Sequence, residues 1–407
     1  MIMCVAVALG CHGSPAAAPV PPPRAALTAA SASASVPLAV PSASPDASVA
    51  ELHPSWRVLE SADLQQAPAL FRTATGVIAV LRTPGRTSVT RFDASGSPVA
   101  SYALASTGID DFAAAFTDDG HLIVLTGGSR FADNAPLELE AYDSSGKSTW
   151  TSVLPSACRH SPTMAVHGNQ LVVAWKDCGR VPASDDPAFV GVATLDASSG
   201  RLKGSRVMPS ESESGGAVHV GKIVVGFLDA TVVLAGEWVR TDDVMVATVN
   251  GTGPVRWRSI GHGFDPRLLA ANGLRLAFHS GMVGTGTAKL TFGSLSWGAR
   301  PPEGMTSLGW SAEREVELSE RRTRNVSLAF DGTRTAVVAQ AHAGMLSSGS
   351  DEAWIAVEDG RPARLHDDRT ESKWPAIIAL GPRKWLVLMG MCPRDKRCAI
   401  VAATLDA

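Results

Sequence analysis

The chain has 407 residues, 38 of them Gly and 26 Pro, with 18% charged residues and a formal charge of -3. A repeat or barrel fold of this length can bury a large core without splitting into separate domains. Near-neutral charge provides no long-range pull on nucleic acid or on an anionic membrane, and no apolar run approaches the roughly 20 residues that span a bilayer, so neither a nucleic-acid partner nor a membrane-spanning segment is expected.

Met1 to Gly10 are apolar, and Ala8-Leu9-Gly10 lead into Cys11. Small residues ahead of a cysteine resemble the end of a bacterial lipoprotein signal, which implies export, cleavage and a lipid on Cys11. A plain secretory signal is the alternative. Residues 12–52 are dominated by Ala, Pro and Ser. Such a stretch has too little apolar surface to offset the entropy of ordering, so it reads as a disordered tether reaching on the order of 100 Å when extended. The folded part is expected over residues 53–407.

There the 3.6-residue period of helices is almost absent, and short β-branched runs between Gly, Asp, Asn and Ser clusters indicate an all-β fold. A turn signature recurs: Asp93-Ala94-Ser95-Gly96, Asp143-Ser144-Ser145-Gly146, Asp196-Ala197-Ser198-Ser199-Gly200 and Asn250-Gly251-Thr252-Gly253. Asp and Asn bond the backbone ahead of them and Gly supplies positive φ, so each signature marks a tight hairpin. An apolar run precedes each in register: Val77 to Leu81, Leu122 to Leu125, Leu171 to Trp175, Val232 to Gly236, Leu274 to Phe278, Thr335 to Ala339 and Trp385 to Met389. With one strand before each run and one after each signature, the unit is four strands, A to D. Period-2 alternation puts Leu137, Leu139 and Ala141 on one face.

Four antiparallel strands repeated about every 50 residues predict a β-propeller of about seven blades; six or eight are also compatible. Ser311 to Asn325, rich in Glu and Arg, reads as a solvated excursion. The chain ends after a C strand, whereas residues 54–60 look like a D strand with no C before it. The first strand is therefore expected to complete the last blade and close the ring.

The run Asp242 to Trp257, with an acidic residue before strand C, then Asn250-Gly251-Thr252-Gly253, then Trp257 on strand D, resembles the β-propeller repeat of bacterial cell-surface proteins. Asp196 to Gly200 and Asn250 to Trp257 are also similar to pyrroloquinoline-quinone-like repeats. The resemblance implies the fold and not the quinone.

Cys158 and Cys178 lie about equally far from the turn at His167-Gly168-Asn169, and Cys392 and Cys398 bracket a hairpin tip. Both spacings suit local disulfides in an exported protein. Because strands alternate direction, A–B and C–D turns share one end of a propeller and B–C and D–A connections the other. The second set is long and variable, so the B–C/D–A end is the expected binding face. Asp186, Asp243 and Glu352 close acidic pairs in corresponding loops, and calcium is the cation such ligands would take if they converged; solvated turn charges are the plainer reading. His160, His262, His279 and His342 fall at the same end, and Trp310 and Trp354 are candidates to face a ligand. No catalytic motif occurs, and the candidate A strands are small and apolar. The sequence thus predicts a non-catalytic, monomeric envelope lipoprotein that binds a protein or glycan, without a cofactor. The alternative is a secreted hydrolase or lyase acting from the same loops.

Overall fold

In a computed structural model the described residues are 50–104, 112–126, 136–154, 159–177, 189–280, 289–298, 308–318, 322–365, 370–393 and 397–406. Among them the regular structure is β throughout. Two short strands come first, Ala50–Glu51 (β1) and Arg57–Glu60 (β2). Consecutive antiparallel meanders follow: Ala69–Thr73 (β3), Gly76–Thr83 (β4), Arg86–Asp93 (β5), Pro98–Ala103 (β6); Phe112–Phe116 (β7), Leu122–Thr126 (β8), Leu137–Tyr142 (β9), Ser148–Leu154 (β10); Arg159–His167 (β11), Gln170–Asp177 (β12), Phe189–Asp196 (β13), Leu202–Ser212 (β14). The second half continues with Val220–Leu228 (β15), Thr231–Trp238 (β16), Asp243–Thr248 (β17), Val255–His262 (β18); Phe264–Ala270 (β19), Leu274–Ser280 (β20), Lys289–Trp297 (β21), Leu308–Glu317 (β22); Arg322–Phe330 (β23), Thr335–His342 (β24), Asp351–Val357 (β25), Ala363–Arg364 (β26); and Thr370–Gly381 (β27), Lys384–Pro393 (β28), Ala399–Asp406 (β29).

These strands form a propeller-like arrangement of five blades plus one eight-stranded sheet. About seven separate four-stranded sheets were expected, and the difference has two causes. The tail of β14 runs on past its own meander and pairs in parallel with β18, Ser210 to Ser212 opposite Val255 to Trp257, which fuses two meanders into the order β11-β12-β13-β14-β18-β17-β16-β15. The short β26 is flanked in parallel by β1, giving five strands. Ala50 and Glu51 therefore belong to a sheet, although they lie inside the stretch expected to be tether. Ser311 to Asn325 is no excursion: its described residues fall in β22 and β23. The charges there sit on an outer strand with one solvated face, where Arg275 meets Glu313 at 2.7 Å and Lys289 meets Glu315 at 2.7 Å.

The closing strand lies where expected. β2 pairs antiparallel with β29, Arg57 opposite Ala402 and Val58 opposite Val401, in the order β2-β29-β28-β27. The inner strands β3, β7, β11, β15, β19, β23 and β27 lie side by side in that order, and β27 returns to β3. The core runs between sheets. Leu137, Leu139 and Ala141 of β9 pack on Leu171, Val173 and Trp175 of β12, as their alternation requires. Val77, Ala79 and Leu81 of β4 pack on Leu386, Leu388 and Ile400 across the closure.

The turn signatures link neighbouring sheets. Asp93 accepts the amides of Ser95 and Ser97, both at 2.9 Å, and Gly96, at φ 85°, lies against Thr404 and Leu380 of the last sheet. Gly200, at φ 68°, rests on the Trp150 indole of the preceding sheet. Backbone handedness and close approach both call for glycine there.

Removing residues 50–60 would bare the edges of β26 and β29. The expected outcome is a Tm lowered by several degrees with a broader transition in a thermal melt. An unchanged melt would show that closure adds no stability. Gly191 faces the buried Trp175, and a Cβ there would fall 1.9 Å from the indole. Gly191→Val should therefore cost about 2 kcal/mol or more in urea unfolding, the usual penalty of an overpacked core.

Candidate functional site

Five consecutive inner strands carry the same irregularity. The register between A and B strands shifts between His160 and Thr163, Val220 and Ile223, Phe264 and Arg267, Arg324 and Ser327, and Lys373 and Ala376. In four of them a non-glycine residue takes positive φ: Ser161 at 50°, Asp265 at 52°, Asn325 at 54° and Trp374 at 55°. A bulge frees one residue from the ladder and re-aims its side chain. Each bulge lies in the half of the strand toward the B–C/D–A end, and these bulges place polar groups in an otherwise apolar wall.

Asp265 is the centre of the largest group. Its carboxylate pairs with Lys222 on β15, lies 3.4 Å from Arg267, and accepts the Val326 amide of β23 at 2.9 Å. It thereby spans three inner strands. Arg267 donates to the Val326 carbonyl at 2.7 Å, and Glu237, at the end of β16, accepts the Asp265 amide at 3.3 Å. Burial alone would raise the Asp265 carboxyl, but Arg267 and Lys222 outweigh it and hold the group well below the usual carboxylate range. Burial, helped by the Arg267 charge, pushes the Lys222 ammonium down to about 8 against the pull of Asp265. Burial also pushes Glu237 up. His279, at the end of β20, is 7% exposed and stacks on Phe264 at 5.8 Å, and neither ring nitrogen has a hydrogen-bond partner. Desolvation drives its pKa down to about 4.

A second group lies one sheet further on. Asn325 donates to Gln340 at 2.6 Å, Gln340 donates to Asp351 at 2.6 Å, and Arg324 reaches the same Asp351 oxygen at 2.7 Å. Glu352, 1% exposed, receives Arg364 and the Trp354 indole, each at 3.3 Å.

The axis itself holds a cavity of about 860 Å³, lined by residues from all the inner strands. Thr73 to Thr75 and Thr117 to Gly120, both A–B turns, lie on its wall, so it belongs to the A–B/C–D end, opposite the charged groups.

Of the residues singled out from sequence, His262 and Asp243 come together at 2.7 Å, with the imidazole largely exposed. His279 stands with the Asp265 group. Asp243 and Glu352 do not converge on a shared cation position: each is engaged on its own sheet, and the one ligand cluster among the described residues is Asp63 with Cys392 and Cys398. Those two cysteines form a disulfide with a Cα separation of 4.1 Å. Trp354 is 3% exposed and belongs to the core, and Trp310 packs on Phe278 at 5.8 Å, so the ligand-facing reading of these two indoles gives way to packing. Cys11, Cys158, Cys178 and Asp186 lie outside the described residues, as do the side chains of His160 and His342. Sequence reasoning missed Lys222, Glu237, Asp265 and Arg267. The available signal was a lone charge at the end of an apolar run, as in Val220-Gly221-Lys222-Ile223-Val224.

No protein-family model matches the chain, and no curated protein matches it. Among solved structures it is similar to the GH43_1 enzyme from Xanthomonas citri complexed with xylotriose, at 12% identity and TM-score 0.39 over 56% of this chain and 84% of that one. It is similar to a subtype N10 neuraminidase-like protein of little yellow-shouldered bat, at 11% and 0.46 over 76% and 99%. A protein of unknown function from Dyadobacter fermentans gives 9% and 0.45 over 87% and 99%. At these values nothing about activity follows, and the fold stands on the strand topology.

Asp265→Asn would leave Lys222 and Arg267 without their counter-charge and should cost about 3 kcal/mol, with part recovered in Asp265→Asn/Lys222→Met. Urea unfolding of the single and double variants measures the coupling. His279 has a folded pKa below its unfolded value of 6.5, so the chain binds the proton more readily when unfolded. Its contribution is complete above pH 6.5 and is lost as pH falls toward 4. Between pH 7.5 and 4.5 the stability gap between wild type and His279→Phe should shift by about 2.5 kcal/mol in favour of the variant. An unchanged gap would mean that His279 is not buried in its neutral form.

Proposed function

We propose that this protein is a non-catalytic binding or scaffold lipoprotein of the cell envelope. It is exported, tethered through residues 12–52 by a lipid on Cys11, and engages a protein or glycan through the B–C/D–A end of its propeller. It acts as a monomer and needs no cofactor.

One observation carries the binding half of this reading: the ionisable groups at that end hold one another. Asp265 is taken up by Lys222, Arg267 and the Val326 amide, Asp351 by Arg324 and Gln340, and Glu352 by Arg364 and an indole. A catalytic acid or base must reach substrate and change protonation near the working pH. Mutually bonded groups instead make a rigid, polar floor on which loops can recognise a partner. The Cys392–Cys398 disulfide and the resemblance to bacterial cell-surface repeats support export.

The blade count belongs to the same proposal. Split at its three-residue parallel seam, the eight-stranded sheet is two meanders with inner strands β11 and β15, and the ring then has seven blades.

One feature favours the hydrolase or lyase alternative. Glu237 is raised by burial, and it lies beside a lysine lowered to about 8.

Affinity capture from envelope extract with the full-length protein tests the choice. Wild type should retain a partner that Asp243→Lys/His262→Asp loses, while Glu237→Gln retains it. Cys11→Ser should move the protein from the membrane to the soluble fraction. Turnover of a glycan or peptide panel by wild type but not by Glu237→Gln would replace binding with hydrolysis.

A further inference from the structure

The charged groups lie toward one end of the axis, whereas the cavity lies at the other, and its wall has two unlike sides. Across β11, β15, β19 and β27 it is apolar, with Met164, Val166, Val225, Phe227, Leu268 and Ile378. On the side of β3 and β7 it carries Thr73, Thr75, Asp118 and Asp119 together with Phe71 and Phe116, whose rings stack at 6.1 Å. Small residues such as Ala114, Ala165 and Ala270 line the well and leave it unfilled. Its size, about 860 Å³, is that of a small-ligand site.

Charge decides which ligand. Two arginines border the cavity, and both are spent on backbone: Arg72 donates to the carbonyls of Ala379 and Leu380 at 3.3 and 3.1 Å, and Arg91 to that of Ser144 at 3.3 Å. Thr117 and His121 hold Asp119, and the hydroxyl bond of Thr117 lowers its pKa, so it stays ionised. Asp118 is exposed, and no described residue bonds to it. An ionised rim of carboxylates beside two aromatic faces attracts a cation, most of all a quaternary ammonium that aromatic faces stabilise. The apolar wall opposite takes a hydrocarbon body.

We propose that the A–B/C–D end of the propeller carries a second binding site, for an amphipathic cation whose hydrocarbon part enters the axial cavity and whose ammonium head rests between Asp118 and the Phe71–Phe116 pair. The site is independent of any partner at the opposite end, so failure of one proposal leaves the other standing.

The test is isothermal titration of the full chain with dodecyltrimethylammonium below its micelle concentration, with dodecyl sulfate as the anionic control. Saturable one-to-one binding of the cation, several-fold tighter than the sulfate, is expected. Asp118→Asn should weaken the cation about three-fold at low salt, the scale of an exposed ion pair, and Asp118→Lys should reverse the preference. Both changes are on the surface and leave folding untouched. Ala270→Trp, which fills the well from an exposed wall position, should lower affinity at least ten-fold with an unchanged thermal melt; if that variant melts early, the Asp118 pair decides. Equal affinity for the two probes, no saturable binding, or Asp118 variants that bind like wild type would overturn the proposal.

Discussion

A β-sheet has two edges, and each unpaired edge is a template for another chain. A ring of meanders solves half of this problem by packing, since the inner strands lie against one another around the axis. The ring must still be joined where the chain begins and ends. Here β2 is joined to β29 by main-chain bonds, and Val77, Ala79 and Leu81 meet Leu386, Leu388 and Ile400 across the same junction. The first and last segments therefore share a sheet and a core, and the ring geometry that places both ends of the axis depends on that junction. Outer edges are handled locally. β1 covers β26, the seam between β14 and β18 covers two edges at once, and Arg314 of β22 donates to the carbonyls of Val357 and Gly360 at the neighbouring turn.

Much of this architecture is legible in the sequence because it is local. An Asp-x-Ser-Gly turn is set by its own side chain and by one positive φ, so each copy reveals a hairpin wherever it stands. The period-2 face of Leu137, Leu139 and Ala141 needs only strand geometry. Closure was also legible, from a missing D strand at one end and a spare one at the other. The fusion of the eight-stranded sheet was not. It depends on three residues of β14 meeting three of β18 in parallel, and so short a pairing leaves no periodic trace. Ser311 to Asn325 misled for a related reason: charges on the solvated face of an outer strand look like loop composition until the strand's partners are known.

The charged groups were illegible for a deeper reason. Nothing near Asp265 in sequence distinguishes it from any other turn-proximal aspartate. Its environment is built by Lys222, 43 residues away, and by the Val326 amide, 61 residues away. The bulge that aims it is a register shift between β19 and β20. Trp354 shows the converse error, since an aromatic residue in a strand says nothing by itself about which face it occupies. His279 was placed at the correct end, but its burial beneath Phe264 comes from the fold.

The two ends of the axis follow from one asymmetry along each inner strand. Toward the B–C/D–A end the strand is bulged, and a bulge re-aims a side chain while detaching backbone groups that need partners. Polar residues are tolerated there because they supply those partners, as the Asp265 carboxylate does for the Val326 amide and Gln340 does for the Trp374 amide at 3.2 Å. Toward the A–B end the strands pair regularly, the backbone is satisfied, and small apolar side chains face the axis. A regular ring of alanines cannot fill its own centre, so the same repeat that forces polarity at one end leaves space at the other. Paired charges resist titration and movement, which suits a surface that recognises a partner in one arrangement. An apolar well with a carboxylate at its lip suits reversible capture of something small.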